Sequence, residues 1–423
     1  MISCLTRGKN RLLEIEGKNV LQLSKKFGTP LFVVCEKHLR ENYKKFRDLF
    51  ISHYPKTIVA YSYKTNYLPF ICNVIKEEGG WAEVVSSLEL NIAKKVHVDS
   101  KKIIFNGPVK TYQELLEAMK LGVRLINVDS LSELKKIILI SKKYGLTANV
   151  GIRLNTSFFG PGYNKFGVNE DDALKACELI SKSKNLKYEG LHGHLGSQIT
   201  TTKPYKKLIK YQISISEEIY RKYNLSTNFI DVGGGFPVRE LSPSGTKKIP
   251  KIEEFAEVIC STLKKGIAKT DVKPPFLVLE PGRAIVSSPI FLLLKVIATK
   301  ITRNMGKIVF TDGGINILPL AEYFRYFKYE ITPNVIRGGK RERVQIAGPL
   351  CMEEDLIGID RTLSPIKEGD ILVVSNTGAY TISLSLQFIK PRPRVVAIDQ
   401  ENNVKVVRES ESVEDILKLD KGY

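Results

Sequence analysis

Between Thr57 and Glu280 the chain repeats one pattern eight times: a short apolar run bounded by Gly, Pro, Ser, Asn or Asp, then a longer segment whose apolar residues recur at helical spacing. The runs are Ile58–Tyr61, Trp81–Val85, Ile103–Phe105, Arg124–Val128, Ala148–Leu154, Tyr188–His192, Phe229–Val232 and Phe276–Leu279. Continuous apolar runs of this length read as strands buried on both faces, which is the environment of a parallel sheet. Eight such units close into a (β/α)8 TIM-like barrel. Period alone leaves an open, doubly wound sheet as the alternative. In either arrangement the chemistry collects at the carboxyl ends of the strands. Those positions carry Lys64, Glu83, Asn106, Arg153, His192, His194, Gly233 to Gly235, and Glu280 to Arg283.

After Arg283 the texture changes to turn-separated strands, Phe291–Lys300, Lys307–Thr311, Val344–Ile346, Ile371–Ser375 and Val395–Ile398. The expected organisation is a barrel over residues 38–283 and a mostly β domain built from 1–37 and 284–423. Because the barrel is complete without it, the GTPLFVV run at 28–34 is expected to pair with the later sheet.

Composition sets limits. No stretch approaches the roughly 20 apolar residues that span a bilayer, and the start MISCLTRGKN lacks a signal-peptide core, so a soluble cytoplasmic protein with no membrane partner is expected. The six cysteines show no CxxC pair, there are five histidines and no HExxH. The sequence therefore predicts no metal site and mostly buried, apolar cysteines. The net charge of +20 is carried by lysines spread over helix faces, which reads as a solvated surface, with an acidic carrier protein as the partner such a field would suit. No zinc-finger, helix-turn-helix or aromatic RNA-binding pattern accompanies it, so nucleic acid is not expected.

A lysine in partly apolar surroundings loses its preference for the ammonium form and can attack a carbonyl to form an imine. Lys64 stands in AYSYKTN among three tyrosines. Glycines let backbone N–H groups approach an anion, and the loops after the seventh and eighth strands are where barrels hold phosphate. Gly233-Gly234-Gly235 and Glu280-Pro281-Gly282-Arg283 occupy those loops. His194 and Ser197 crowd the loop after the sixth strand. Lysine, phosphate cradle, flat imidazole and buried acid together fit pyridoxal 5′-phosphate, whose pyridine nitrogen must stay protonated to accept electrons.

These segments resemble the fold-type III pyridoxal-phosphate decarboxylases, the alanine-racemase-like family that includes diaminopimelate and ornithine decarboxylases. The resemblance runs through GTPLFVV at 28–34, YSYKTN at 61–66, AEVVSSLEL at 82–90, FNGPVK at 105–110, NVDSLSEL at 127–134, NKFGV at 164–168, HGHLGSQ at 192–198, DVGGGFP at 231–237, LEPGRAIV at 279–286, DGGIN at 312–316, GPLCMEED at 348–355 and NTGAY at 376–380. It implies that Lys64 carries the cofactor, His194 stacks on its ring and Glu280 faces its nitrogen. Ser197, Gly235, Arg283 and Tyr380 match phosphate contacts; Glu83, Arg153, Gly233, Gly234 and Gly282 join the cofactor set. Cys351 matches a cysteine that donates a proton from the other subunit of a homodimer.

The pattern departs at the far end of the substrate. Family members place glutamate or aspartate after the cysteine; here Met352 stands there. The arginine that grips a distal carboxylate has no counterpart before Pro319, and Glu83 replaces the usual aspartate. Met352, Glu353, Asp355, Tyr323 and Arg325 are the candidates for this end. The resulting expectation is decarboxylation of an amino-acid α-carboxylate, with diaminopimelate to lysine as the default. The alternatives are a decarboxylase of an ornithine-like, lysine-like or carrier-linked amino acid, a racemase, and a non-catalytic cofactor-binding protein.

Overall fold

A computed structural model of the chain describes residues 4–8, 11–157, 165–238, 249–271, 273–323 and 329–422. The eight runs are the parallel strands Thr57–Ser62, Trp81–Val84, Ile103–Phe105, Leu125–Val128, Ala148–Arg153, Leu186–His192, Phe229–Asp231 and Phe276–Leu279, barrel strands 1 to 8. Each pairs with the next, and strand 8 returns to strand 1 with Leu277–Leu279 opposite Thr57–Val59. The sheet is closed, which decides against the open alternative. Ile58, Ala60, Ile104, Leu125, Phe229 and Val278 form one apolar cluster inside it, with Trp81 packed against them. A closed barrel leaves no strand edge to protect.

The helices begin where capping chemistry starts them. Ser86 and Ser130 accept from the backbone N–H of Glu89 and Glu133 at the heads of Ser87–Lys95 and Leu131–Tyr144. Thr111 and Glu114 form a reciprocal capping box on Tyr112–Leu121, satisfying donors that the first turn otherwise leaves open. Gly122 and Gly145 end two of these helices in the left-handed conformation, φ 68° and 66°, which only glycine adopts cheaply.

Two compact units result: Asn42–Pro237 with Lys247–Ala284, and Met1–Glu41 with Val238–Thr246 and Ile285–Tyr423. In the second, Leu31–Cys35 runs antiparallel to Ile290–Thr302 and parallel to Arg394–Ile398, so the early strand does join the later sheet. Its core gathers Ile15, Leu31, Val33, Phe291, Leu293, Val373 and Val396. The sheet also holds Ile331–Pro333, Leu356–Leu363 and Val404–Arg408, and the first residues form a three-stranded sheet, Leu5–Arg7, Leu13–Ile15 and Lys18–Asn19. These were not legible in the sequence. Leu356–Leu363 and Val404–Arg408 are mostly exposed or half-exposed, and the N-terminal strands are at most three residues long. Among the described residues no helix is long and apolar enough to cross a membrane.

Candidate active site

Parallel strands deliver their last residues to one face of the barrel. Lys64 lies in the 3-10 turn Tyr63–Thr65 directly after strand 1, and its Nζ is 2.5 Å from Glu83 Oε2 on strand 2. The same oxygen accepts the Ser62 hydroxyl at 2.5 Å. Asn106, next after strand 3, donates through Nδ2 to Glu83 Oε1 at 3.1 Å and to Glu280 Oε1 at 2.5 Å. Its side-chain oxygen Oδ1 accepts from Asn127 Nδ2 on strand 4 at 2.8 Å. The second Glu280 oxygen faces His192 Nε2 at 3.5 Å. One network thus runs from Lys64 through Glu83, Asn106 and Glu280 to His192.

Burial alone would raise the Glu280 carboxyl, but His192, by charge and hydrogen bonding, with Lys64 behind it, holds it well below the usual carboxylate range. Asp231 beside it moves the opposite way, pushed far up by burial and by the Glu280 charge. Two buried acids that close do not ionise equally easily; ionisation is favoured on Glu280 and disfavoured on Asp231. His194 is pushed down to about 3, first by burial and then by the charges of Arg153 and Lys64. It is a neutral ring at neutral pH, with Nδ1 accepting the Gly234 N–H at 3.1 Å.

After strand 7 the chain turns through Gly233 (φ 68°), Gly234 and Gly235 (φ 93°). A methyl group at Gly233 would sit 2.6 Å from His194 Nδ1, one at Gly234 would overlap the Glu280 carbonyl, and one at Gly235 would sit 2.5 Å from the Gly196 carbonyl. Arg283 reaches Ser197 Oγ at 3.4 Å from the neighbouring loop. At Gly282 a side chain would collide with Thr65, so this glycine lets the loop after strand 8 press against the turn that carries Lys64.

This donor set fits pyridoxal phosphate. A primary amine one-third exposed is open to an aldehyde, a buried ionised carboxylate can keep a pyridine nitrogen protonated, and a glycine turn beside arginine and serine suits a phosphate. The other expected residues fall as follows. Arg153 is buried, 3.4 Å from Asp129 and 4.4 Å over the Phe166 ring. Cys351, Met352 and Glu353 are exposed in the β-rich unit, and Tyr380 there has φ 57°. Asp355 is buried, and its two oxygens accept the N–H groups of Ile315 and Leu350, both at 2.8 Å, which ties the loop around Leu350 to the Ile315 segment. Ile317 and Leu318 are fully buried where the distal arginine was missed. Tyr323 ends the short helix Leu320–Tyr323, and Arg325 lies outside the described residues.

Sequence reasoning had noted Asn106 and His192 only as strand-end positions, and it passed over Ser62, Asn127 and Asp231. The available signal was polarity inside apolar runs, as in LINV at 125–128.

Residues 36–287 match the family model described as pyridoxal-dependent decarboxylase, pyridoxal binding domain. The chain is 34% identical to diaminopimelate decarboxylase of Methanocaldococcus jannaschii, over 96% of this chain and 94% of that one. It is 29% identical to the diaminopimelate decarboxylase of Aquifex aeolicus, over 96% and 95%. A crystal structure of the M. jannaschii enzyme in co-complex with L-lysine superposes with a TM-score of 0.91 at 33% identity, covering 99% of this chain and 98% of that one.

Proposed function

The chain belongs to the pyridoxal-dependent decarboxylases, and from that premise we propose that it converts meso-diaminopimelate to lysine and carbon dioxide. The observation that carries the reading is the network joining Lys64, Glu83, Asn106 and Glu280 at one barrel end, in a chain similar to diaminopimelate decarboxylases along nearly its whole length. Bound pyridoxal phosphate supplies the electron sink for the breaking carbon–carboxylate bond.

Lys64 would tether the cofactor, with Glu83 exchanging a proton with its amine across 2.5 Å. Glu280 would hold the pyridine nitrogen protonated, and His194, neutral, would lie against the ring without repelling that charge. The Gly233–Gly235 turn, Ser197 and Arg283 would bind the phosphate, joined by Tyr380. Cys351 would deliver the proton that replaces carbon dioxide. Cys351 is exposed in the single chain, which suits a residue serving a second copy in a homodimer. Met352 offers no charge to a distal ammonium group, so selectivity for the far end of the substrate is expected to be looser than an acid at that place would give; losing one charge-assisted contact costs about 1.5–3 kcal/mol.

The test is carbon dioxide release with pyridoxal phosphate present, comparing meso-diaminopimelate with lysine, ornithine and a carrier-linked diamino acid. Preference for meso-diaminopimelate with lysine as product supports the reading. Preference for any other substrate, or racemisation without gas release, overturns it.

A further inference from the structure

The β-rich unit brings together three side chains that the decarboxylase chemistry does not use. Cys4 precedes the strand Leu5–Arg7, Glu16 occupies the turn between Leu13–Ile15 and Lys18–Asn19, and Cys35 ends Leu31–Cys35. The Glu16 N–H donates to the Cys4 carbonyl at 2.9 Å. One ligand atom of each, two sulfurs and a carboxylate oxygen, lies within 4.8 Å of both others. Cys4 and Cys35 are buried in the apolar core of this unit. His38 stands in hydrogen-bonding reach of Cys4, while its Nε2 is held by Ser288 Oγ at 3.0 Å.

We propose that Cys4, Cys35 and Glu16 bind a zinc ion that staples the N-terminal three-stranded sheet to the strand Leu31–Cys35, with His38 or a water as fourth ligand. Buried cysteines alone read as small apolar residues. Glu16 is half-buried, and a carboxylate set beside two thiols has only weak S–H donors to meet. Two thiolates and a carboxylate are ligands for a borderline-soft cation; calcium and magnesium take oxygen sets. Tetrahedral zinc with Zn–S of about 2.3 Å and Zn–O of about 2.1 Å needs ligand–ligand edges of about 3.6–3.8 Å. The three ligand atoms lie within 4.8 Å of one another, so side-chain rotation without a change of fold would gather them about one ion. A histidine whose second nitrogen is anchored, as at His38, is how imidazole ligands are usually oriented. The sequence concealed the set because its members lie 12 and 19 residues apart along the chain.

The experiment uses the full-length holoenzyme, stripped with a chelator and re-equilibrated with zinc. Expected are one zinc per chain by elemental analysis, two sulfur neighbours at about 2.3 Å in X-ray absorption, and a higher unfolding temperature on loading. Cys4→Ser and Cys35→Ser should each abolish binding, Glu16→Gln should weaken it at least about tenfold, the loss of one charge-assisted contact, and Cys177→Ser, a buried cysteine elsewhere, should keep it. The absorption measurement on the unmutated protein stands even if a variant fails to fold. No stoichiometric zinc, zinc without sulfur neighbours, or undiminished binding in both cysteine variants overturns the proposal.

Discussion

Replacing Asn106 by aspartate turns a shared donor into a third acceptor. The Asn106 amide lies 3.1 Å from Glu83 and 2.5 Å from Glu280, both buried carboxylates. Glu83 is already ion-paired with Lys64, so the repulsion counted is that of Glu280: two unit charges about 3 Å apart at an effective dielectric of about 20 repel by about 5.5 kcal/mol, equivalent to about 4 pKa units. An aspartate ordinarily titrating near about 3.9 would then titrate near about 8. Below that pH the protonated side chain supplies one donor where asparagine supplies two, so the variant should keep one of the two bonds and work at a reduced rate. Above it the network holds one charge too many. The folded-state pKa is raised, so the stability tied to this proton is present at low pH and lost as pH rises through about 8. The assay is the decarboxylation rate of Asn106→Asp relative to wild type from pH 6 to pH 9, with Asn106→Leu as the control that cannot titrate. The ratio should fall with pH for the aspartate variant and stay flat for leucine. A flat ratio for aspartate, or full activity at pH 9, would refute the reasoning.

Other predictions follow from the same contacts. His194 is held down at about 3 against an ordinary 6.5; a depressed folded pKa means stability present above the unfolded value and lost as pH falls from 6.5 toward 3, at up to about 1.4 kcal/mol per pH unit. Denaturant midpoints should therefore fall with acid less steeply in His194→Phe than in wild type, and equal slopes would argue against a neutral His194. Gly235→Ala forces a side chain at φ 93° to within 2.5 Å of the Gly196 carbonyl, so pyridoxal-phosphate affinity should drop at least tenfold on the basis of about 1.5–3 kcal/mol per lost charged hydrogen bond; unchanged affinity by equilibrium dialysis would remove this turn from the cradle. Lys110 is fully buried, 2.8 Å from Glu133 and bonded to the Gly107 and Asn127 carbonyls at 3.0 Å. Lys110→Met strands a buried carboxylate and should cost about 3–5 kcal/mol of stability, largely recovered in the Lys110→Met/Glu133→Leu double variant; failure of the second change to recover stability would show that the loss came from elsewhere.

The barrel was readable because a closed parallel sheet buries both faces of every strand, so each strand appears as a bare apolar run such as LINV at 125–128, punctuated by caps such as Ser130 with Glu133. The cofactor candidates were readable because unusual residue types, the Gly233–Gly235 run and Lys64, fall just beyond those runs. What could not be read depends on distances through space. Asn106, Asn127, His192 and Asp231 look like ordinary strand ends until the closed barrel sets them against Glu83 and Glu280. The contacts of Asp355 were equally hidden, because nothing in the order of residues sets an acid four places after Cys351 against the amides of Ile315 and Leu350. The edge strand Leu356–Leu363 escaped because only Ile357 and Gly358 are buried and the rest mixes polar and apolar residues without a clean alternation.

The direct measurement is chemical. Reduction of the pyridoxal-phosphate-loaded protein with borohydride, followed by peptide mass analysis, should find the pyridoxyl group on the peptide spanning YSYKTN, attached at Lys64, and Lys64→Ala should carry none. A label on another lysine, or equal labelling in the alanine variant, would contradict the account.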